Sequence, residues 1–144
     1  MTTSRDWVVL DTNVWIFGLR NQPDRSACYQ ILQGLSQLHV KVPRQILLEL
    51  RANLSREELR ALFRFFKYYP DQVDFRWERV ELALLQKYQQ LGRKLGDAAV
   101  AAHIEAMGVK TLVSENRDFL EEIKSLPFRV LSAAELLQTL GEGG

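Results

Sequence analysis

Trp7-Val8-Val9-Leu10-Asp11-Thr12-Asn13-Val14 decides how this chain is read. Four apolar residues run into an aspartate, a threonine and an asparagine, and apolar residues then resume. A short apolar run closed by polar residues is the pattern of a strand buried on both faces of a parallel sheet. In open parallel sheets, ligands sit just beyond the carboxyl ends of the strands, and Asp11 stands at such an end. A carboxylate is costly to bury alone; it needs hydrogen-bond donors, a cation or a raised pKa. The structural alternative is that Asp11 caps the following helix, a common use of Asp and Thr.

Working outward, residues 15–19 form a short helix or turn. Cys28, Ile31, Leu32, Leu35 and Leu38 then recur at helical spacing, with Asp24 placed to cap that helix. Residues 39–42 alternate and predict a second strand closed by Pro43, which suits the start of a helix because its missing N–H is not needed there. Ile46, Leu47 and Leu50 make that helix's apolar face, with Glu49 near its edge. Ser55 followed by Glu58 is a capping-box pattern and opens a helix to about Tyr68. Residues 72–75 predict a short third strand and residues 77–91 a helix ended by Gly92. Residues 95–108 form the most regular helix, with Asp97 in its first turn and Gly108 as a left-handed C-cap. Residues 110–114 are another strand, followed by the polar loop Glu115-Asn116-Arg117-Asp118-Phe119. Residues 128–131 are the last strand, and residues 133–140 a terminal helix. Strands alternating with helices imply an α/β protein: a central, mainly parallel sheet of four or five strands with helices on both faces. Residues 1–144 are read as a single domain.

Composition narrows the class. At 47% hydrophobic residues the chain is not disordered. Nineteen basic against 18 acidic residues leave a net charge of +1, so any nucleic-acid binding must come from a local patch. The single Cys28 cannot form an internal disulfide and is expected in the core of a protein from a reducing compartment. The N-terminus lacks the apolar core of a signal peptide and no apolar run reaches membrane-spanning length, so the expectation is a cytoplasmic protein with no membrane partner.

Asp11 at a strand end, Asp97 at a helix start and Asp118 after a strand, with Glu115 and Asn116 beside it, all map to one edge of a parallel sheet. Glu49 can face them from its helix. Four carboxylates converging there would repel one another, and one or more would have to stay protonated. A hard divalent cation removes that conflict, and Mg²⁺ and Mn²⁺ prefer oxygen ligands. Such a site can activate a water and offset charge on a phosphoryl group, which makes phosphodiester hydrolysis the natural reaction class. Bland alternatives stand beside each residue. Asp97 can simply complement a helix dipole, Asp118 can cap the segment after it, and Glu49 can be a solvated helix residue. Other chemistries lack their residues: there is no Gly-x-Gly-x-x-Gly, P-loop or Gly-x-Ser-x-Gly pattern. One Cys and two His make no usual zinc cluster. Asn13 stands where a phospho-aspartate phosphatase of the haloacid dehalogenase type needs its second Asp.

Residues 8–14, Gly96-Asp97-Ala98-Ala99-Val100-Ala101-Ala102 and Leu112-Val113-Ser114-Glu115-Asn116-Arg117-Asp118-Phe119 resemble, in order and separation, the three signature blocks of PIN domains. The resemblance covers nearly the whole chain. It implies a three-layer α/β/α sandwich, a cluster of three or four acids, and Mg²⁺- or Mn²⁺-dependent cleavage of RNA. It further implies the toxin of a type II toxin–antitoxin pair, usually homodimeric and inhibited by an antitoxin protein. Carried over by position, Asp11, Glu49 and Asp97 match the first three acids. The fourth place is less clean: many members have an acid where this chain has Asn116, which leaves Asp118 as the better candidate and Glu115 as another. Thr12, Asn13 and Ser114 resemble the polar residues that orient the acids or the bound water. The rival reading is a catalytically weak or inactive module of the same fold that binds RNA or a protein partner.

Arg56, Arg60, Arg64 and Lys67 fall at near-helical spacing, surrounded by Phe63, Phe65, Phe66, Tyr68 and Tyr69. A basic stripe can hold phosphates and aromatic rings can stack unpaired bases. A solvated face balanced by Glu57 and Glu58, with aromatics turned into the core or a dimer interface, is the alternative.

Overall fold

The computed structural model describes residues 7–92, 95–116 and 126–143, with the side chains of Leu95, Glu142 and Gly143 not described. The apolar run before Asp11 is strand β1 (Trp7–Leu10), and it forms the middle of the sheet. Around it lie β2 (His39–Pro43), β3 (Val73–Arg76), β4 (Thr111–Val113) and β5 (Arg129–Leu131), in the order β3-β2-β1-β4-β5. All four pairings are parallel. Successive strand residues point to opposite faces, yet Val9 and Leu10 are both wholly buried. Both faces of the sheet are therefore covered by helices, as the continuous apolar run requires.

The covering helices are α1 (Thr12–Arg20), α2 (Ser26–Gln33), α3 (Arg44–Asn53), α4 (Arg56–Tyr68), α5 (Leu82–Gln90), α6 (Leu95–Met107) and α7 (Ala133–Gly143). Helix α1 packs on α2 and α2 on α7, whereas α5 packs on α6, giving an α/β/α arrangement. Among the described residues no helix is long and apolar enough to cross a membrane.

Helix α1 is longer than the short helix or turn expected over residues 15–19, because Asp11 caps it directly after β1 and a left-handed Asn21 closes it. The expected helix through Leu38 breaks up. Asp24 sits in a 3-10 turn (Pro23–Arg25) and makes no cap; α2 starts at Ser26 with no side-chain cap. Gly34 ends α2 by donating its N–H to Gln30 and Ile31, and Leu35–Gln37 is a separate 3-10 turn. Cys28, Ile31, Leu32, Leu35 and Leu38 are nevertheless all buried, so the spacing identified the core face but overstated the continuity of the helix. Residues 77–81 are likewise not helical. There the Trp77 carbonyl accepts a bond from Arg44, and Glu78 reaches His103 on α6. These tertiary partners take the place of a first helical turn.

Local signals succeed where tertiary contacts do not compete. Gly108 adopts φ 71° after α6, as a left-handed cap should. The Ser55–Glu58 capping box forms with both reciprocal bonds, and Glu58 also pairs with Arg20 of α1 at 2.7 Å. Ser55→Ala is expected to cost about 1 kcal/mol, read as a melting temperature lowered by about 3–5 °C for a domain of this size. An unchanged melting temperature would show that the Arg20–Glu58 pair alone fixes the start of α4.

Candidate active site

Asp11 leaves the sheet at the carboxyl end of β1, and its own N–H donates to the Val113 carbonyl at 2.8 Å. The residue is 6% exposed. The Thr12 N–H donates to Oδ1 at 2.9 Å and the Ser114 hydroxyl to Oδ2 at 2.8 Å. The helix-capping role is thus real. It does not account for the rest of the environment, because burial dominates and pushes the carboxyl up from 3.8 to about 6. Ser114 and Thr12 work against that rise, and the neighbouring Glu49 and Asp97 carboxylates add to it.

Glu49 lies half-buried on the second turn of α3. The Thr12 hydroxyl donates to its Oε1 at 2.5 Å, and the Gln45 amide to its Oε2 at 2.9 Å. Glu49 is held rather than solvated, and one of its holders is the residue next to Asp11. Asp97 is half-buried in the first turn of α6, near enough to Asp11 for its charge to be felt. The first three acids expected from the sequence therefore belong to one electrostatic neighbourhood.

The loop after β4 takes a different form. Glu115 is 12% exposed in its side chain and pairs with Arg25 at 3.0 Å, while its Oε2 accepts the Ala133 N–H at 2.9 Å at the start of α7. Both of its oxygens are committed to joining the turn before α2, the strand end and α7. The Glu115 N–H donates to Asn13 Oδ1 at 3.3 Å, and the Asn116 N–H to Ser114 Oγ at 3.0 Å. Asn13 and Ser114 thus tie this loop to the end of β1, as orienting residues would. Asp118 lies outside the described residues.

The donor set of Asp11, Glu49 and Asp97 is all oxygen and suits a hard divalent cation. Among the described residues no group of three or more Asp, Glu, His or Cys side chains is placed to hold a metal ion. An open arrangement still fits Mg²⁺, which keeps several waters and typically takes one or two carboxylates together with substrate phosphates.

The buried acid sets a pH dependence for the metal-free protein. A carboxyl that ionises at 3.8 unfolded and about 6 folded binds more protons in the folded state between those values. Stability from this group is full below 3.8 and falls as pH rises to about 6. The loss is about 3 kcal/mol at 1.36 kcal/mol per unit. Hydrogen bonds to Glu58, Glu78 and Glu105 lower those carboxyls from 4.5, so their stabilisation is lost only at more acid pH. In EDTA the melting temperature is expected to peak near pH 4.5–5 and decline toward pH 6.5. A flat profile across that window would show that Asp11 is better solvated or better paired than the geometry indicates.

The PIN-domain family model matches residues 8–124. The chain belongs to the PIN-domain family. PIN domains are generally nucleases. No sequence among the curated proteins matches this one. Eleven solved chains share the fold. One is VapBC2 from Rickettsia felis, bound to a DNA fragment from its promoter, at 18% identity and TM-score 0.59 over 88% of this chain and 98% of that one. Another is PAE2754 from Pyrobaculum aerophilum, at 17% identity and TM-score 0.59 over 99% of both chains.

Within this PIN domain, sequence reading missed how the second acid is supported. Gln45 precedes Glu49 by one helical turn, a spacing that brings two side chains together, but an amide there carries no signature of its own. Gly96 stands in the second PIN-like block for a steric reason. A Cβ at this position would stand 2.9 Å from Glu49 Oε2 and 3.6 Å from Gln45 Nε2.

The candidate RNA stripe fares differently. Arg56, Arg60, Arg64 and Lys67 are all exposed on α4. Phe66 is buried, stacking edge-on against Trp15 and Phe75, whereas Phe63 and Tyr68 are exposed. Arg64, Phe65, Tyr68 and Tyr69 line a shallow groove of about 350 Å³ with Leu32 and Gln33. The start of α4 is bound to Arg20, at the opposite end of α1 from Asp11. Nine residues of helix separate the two ends, about 13 Å.

Proposed function

We propose that this PIN domain is a metal-dependent endoribonuclease, the toxin of a type II toxin–antitoxin pair, acting as one domain over residues 1–144. The observation that carries the reading is the under-compensated Asp11 carboxylate, buried with two hydrogen bonds among the described residues and raised further by Glu49 and Asp97. A site built only to cap α1 would not gather more negative charge around its cap. Asp11, Glu49 and Asp97, with Asp118 as the fourth acid, are the residues that would hold Mg²⁺ or Mn²⁺. When bound, the cation would offset charge on the phosphoryl group and acidify an attacking water.

The remaining chemistry belongs to the chain. Ser114 and the Thr12 N–H aim the two oxygens of Asp11. Thr12 and Gln45 aim those of Glu49. One of the site's carboxylates accepts the proton of the attacking water. Glu115, committed to Arg25 and α7, acts as a strut for the loop rather than as a ligand. Arg56, Arg60, Arg64 and Lys67 offer phosphate contacts away from the scissile bond. The antitoxin partner is supported by the family and by the fold shared with VapBC2 from Rickettsia felis. The same family expectation makes the protein a cytoplasmic homodimer.

Asn116 in a usual place of the fourth acid favours a second reading, a PIN domain that binds RNA or a protein without cleaving. Incubating the purified protein and its Asp97→Asn variant with structured RNA in Mg²⁺, Mn²⁺ or EDTA separates the two. Cleavage that needs metal and is lost in the variant supports the nuclease. Folded protein that cleaves under no condition supports the binding module.

A further inference from the structure

Continuing the pairing of Trp7 with His39 and Val8 with Val40 sets Asp11 level with Pro43, and Pro43 pairs with Arg76 on β3. Arg44 and Trp77 follow directly on these two strand ends, Arg44 as the first residue of α3. They therefore stand on the same carboxyl edge of the sheet as the acids, Arg44 one strand spacing away and Trp77 two, about 5 and 10 Å. The basic stripe of α4, by contrast, begins at the far end of α1.

Trp77 is 50% exposed although a cation already covers one face: the Arg44 guanidinium lies 4.6 Å from its ring centroid. Arg44 also donates to the Trp77 carbonyl at 3.3 Å, so the pair is fixed at two points. Among the described residues no carboxylate pairs with Arg44. Its charge also opens α3, where a cation opposes the positive end of the helix dipole. The loop beneath is pinned, because Glu78 meets Arg76 at 3.2 Å and His103 at 3.3 Å. A half-exposed indole held in place by an unneutralised arginine has the two components of single-strand recognition: a flat ring for a base and a cation for its phosphate. Packing does not require either to be there.

We propose that Trp77 and Arg44 form a subsite for one unpaired nucleotide of an RNA strand, flanking the bond held at the acids. The base stacks on the open face of Trp77 and the adjoining phosphate meets Arg44. This rests on the nuclease reading for its substrate, but its test does not need cleavage.

The experiment is fluorescence anisotropy of a labelled, short, mixed-sequence single-stranded RNA in EDTA. It compares the native chain with Trp77→Ala, Trp77→Leu, Trp77→Phe and Arg44→Gln, with melting curves alongside. Loss of the ring in Trp77→Ala and Trp77→Leu is expected to weaken binding by roughly 5- to 150-fold. Trp77→Phe should retain most of the affinity. Arg44→Gln should reduce the salt dependence by about one phosphate contact. A duplex of the same sequence should be insensitive to Trp77. Equal affinity of the native and Trp77→Leu proteins for single strands, or no binding by the native chain, would overturn the proposal. So would a change of oligomeric state in Trp77→Leu with RNA affinity untouched, which would make the patch a protein interface. Metal-dependent cleavage with binding indifferent to Trp77 would remove the subsite alone. Binding that needs Trp77, without cleavage in any metal, would remove the nuclease reading alone.

Discussion

Asp11→Asn is expected to lower RNA cleavage by about 10³-fold or more while making the metal-free protein more stable. Removing a group that acts directly at the reacting centre typically has an effect of that order. The stability gain follows from the burial of Asp11. At neutral pH its carboxylate is ionised in a site that raises its pKa to about 6, at a cost of about 3 kcal/mol relative to the protonated form. Asn keeps an oxygen for the Thr12 N–H, and the Ser114 hydroxyl can turn to accept from the new amide. Thermal melts in EDTA at pH 7.5 should show the variant higher by several degrees, and the decline of stability between pH 4.5 and 6.5 should disappear with it. A variant that loses both activity and stability would mean that Asp11 serves mainly to cap α1.

Gly96→Ala is expected to separate function from fold in the other direction. The new methyl would stand 2.9 Å from Glu49 Oε2, the far end of a flexible side chain, so the chain can yield by swinging Glu49 away. Helix α6 is not harmed, since alanine is the better helix former by about 1 kcal/mol. A displacement of about an ångström at a catalytic group costs on the order of 10- to 100-fold in rate. Activity should fall by that factor with the melting temperature unchanged or slightly raised. Gly96→Ala with full activity would place Glu49 outside the working site. Gln45→Leu removes the other holder of Glu49 and should act in the same sense.

What could be read from the sequence depended on how local the cause was. The apolar run before Asp11, the Ser55–Glu58 box and the left-handed Gly108 all act within a turn or a strand, and each is where the residues place it. The continuous strand run also implied a sheet covered on both sides, and the resemblance to PIN domains singled out Asp11, Glu49 and Asp97, whose charges the fold brings within reach of one another. Partners remote in sequence were not legible. Residues 77–81 have the composition of a helix start, yet Arg44 and His103 hold them out of one. Glu115 reads in the sequence as another candidate for the fourth acid, and the approach of Arg25, 90 residues earlier, and of Ala133, which engages both its oxygens, has no local signal. Gln45 and Gly96 matter to Glu49 because α3 and α6 meet, which no spacing announces.

Metal-dependent cleavage requires a cation held by the acids at the end of β1, and a calorimetric titration with Mn²⁺ tests that without reference to any RNA. The native chain at pH 7.5 should give a saturable heat and a higher melting temperature with added metal, and Asp97→Asn should lose both. Equal heats in the two proteins, or none in either with the fold intact, would contradict it.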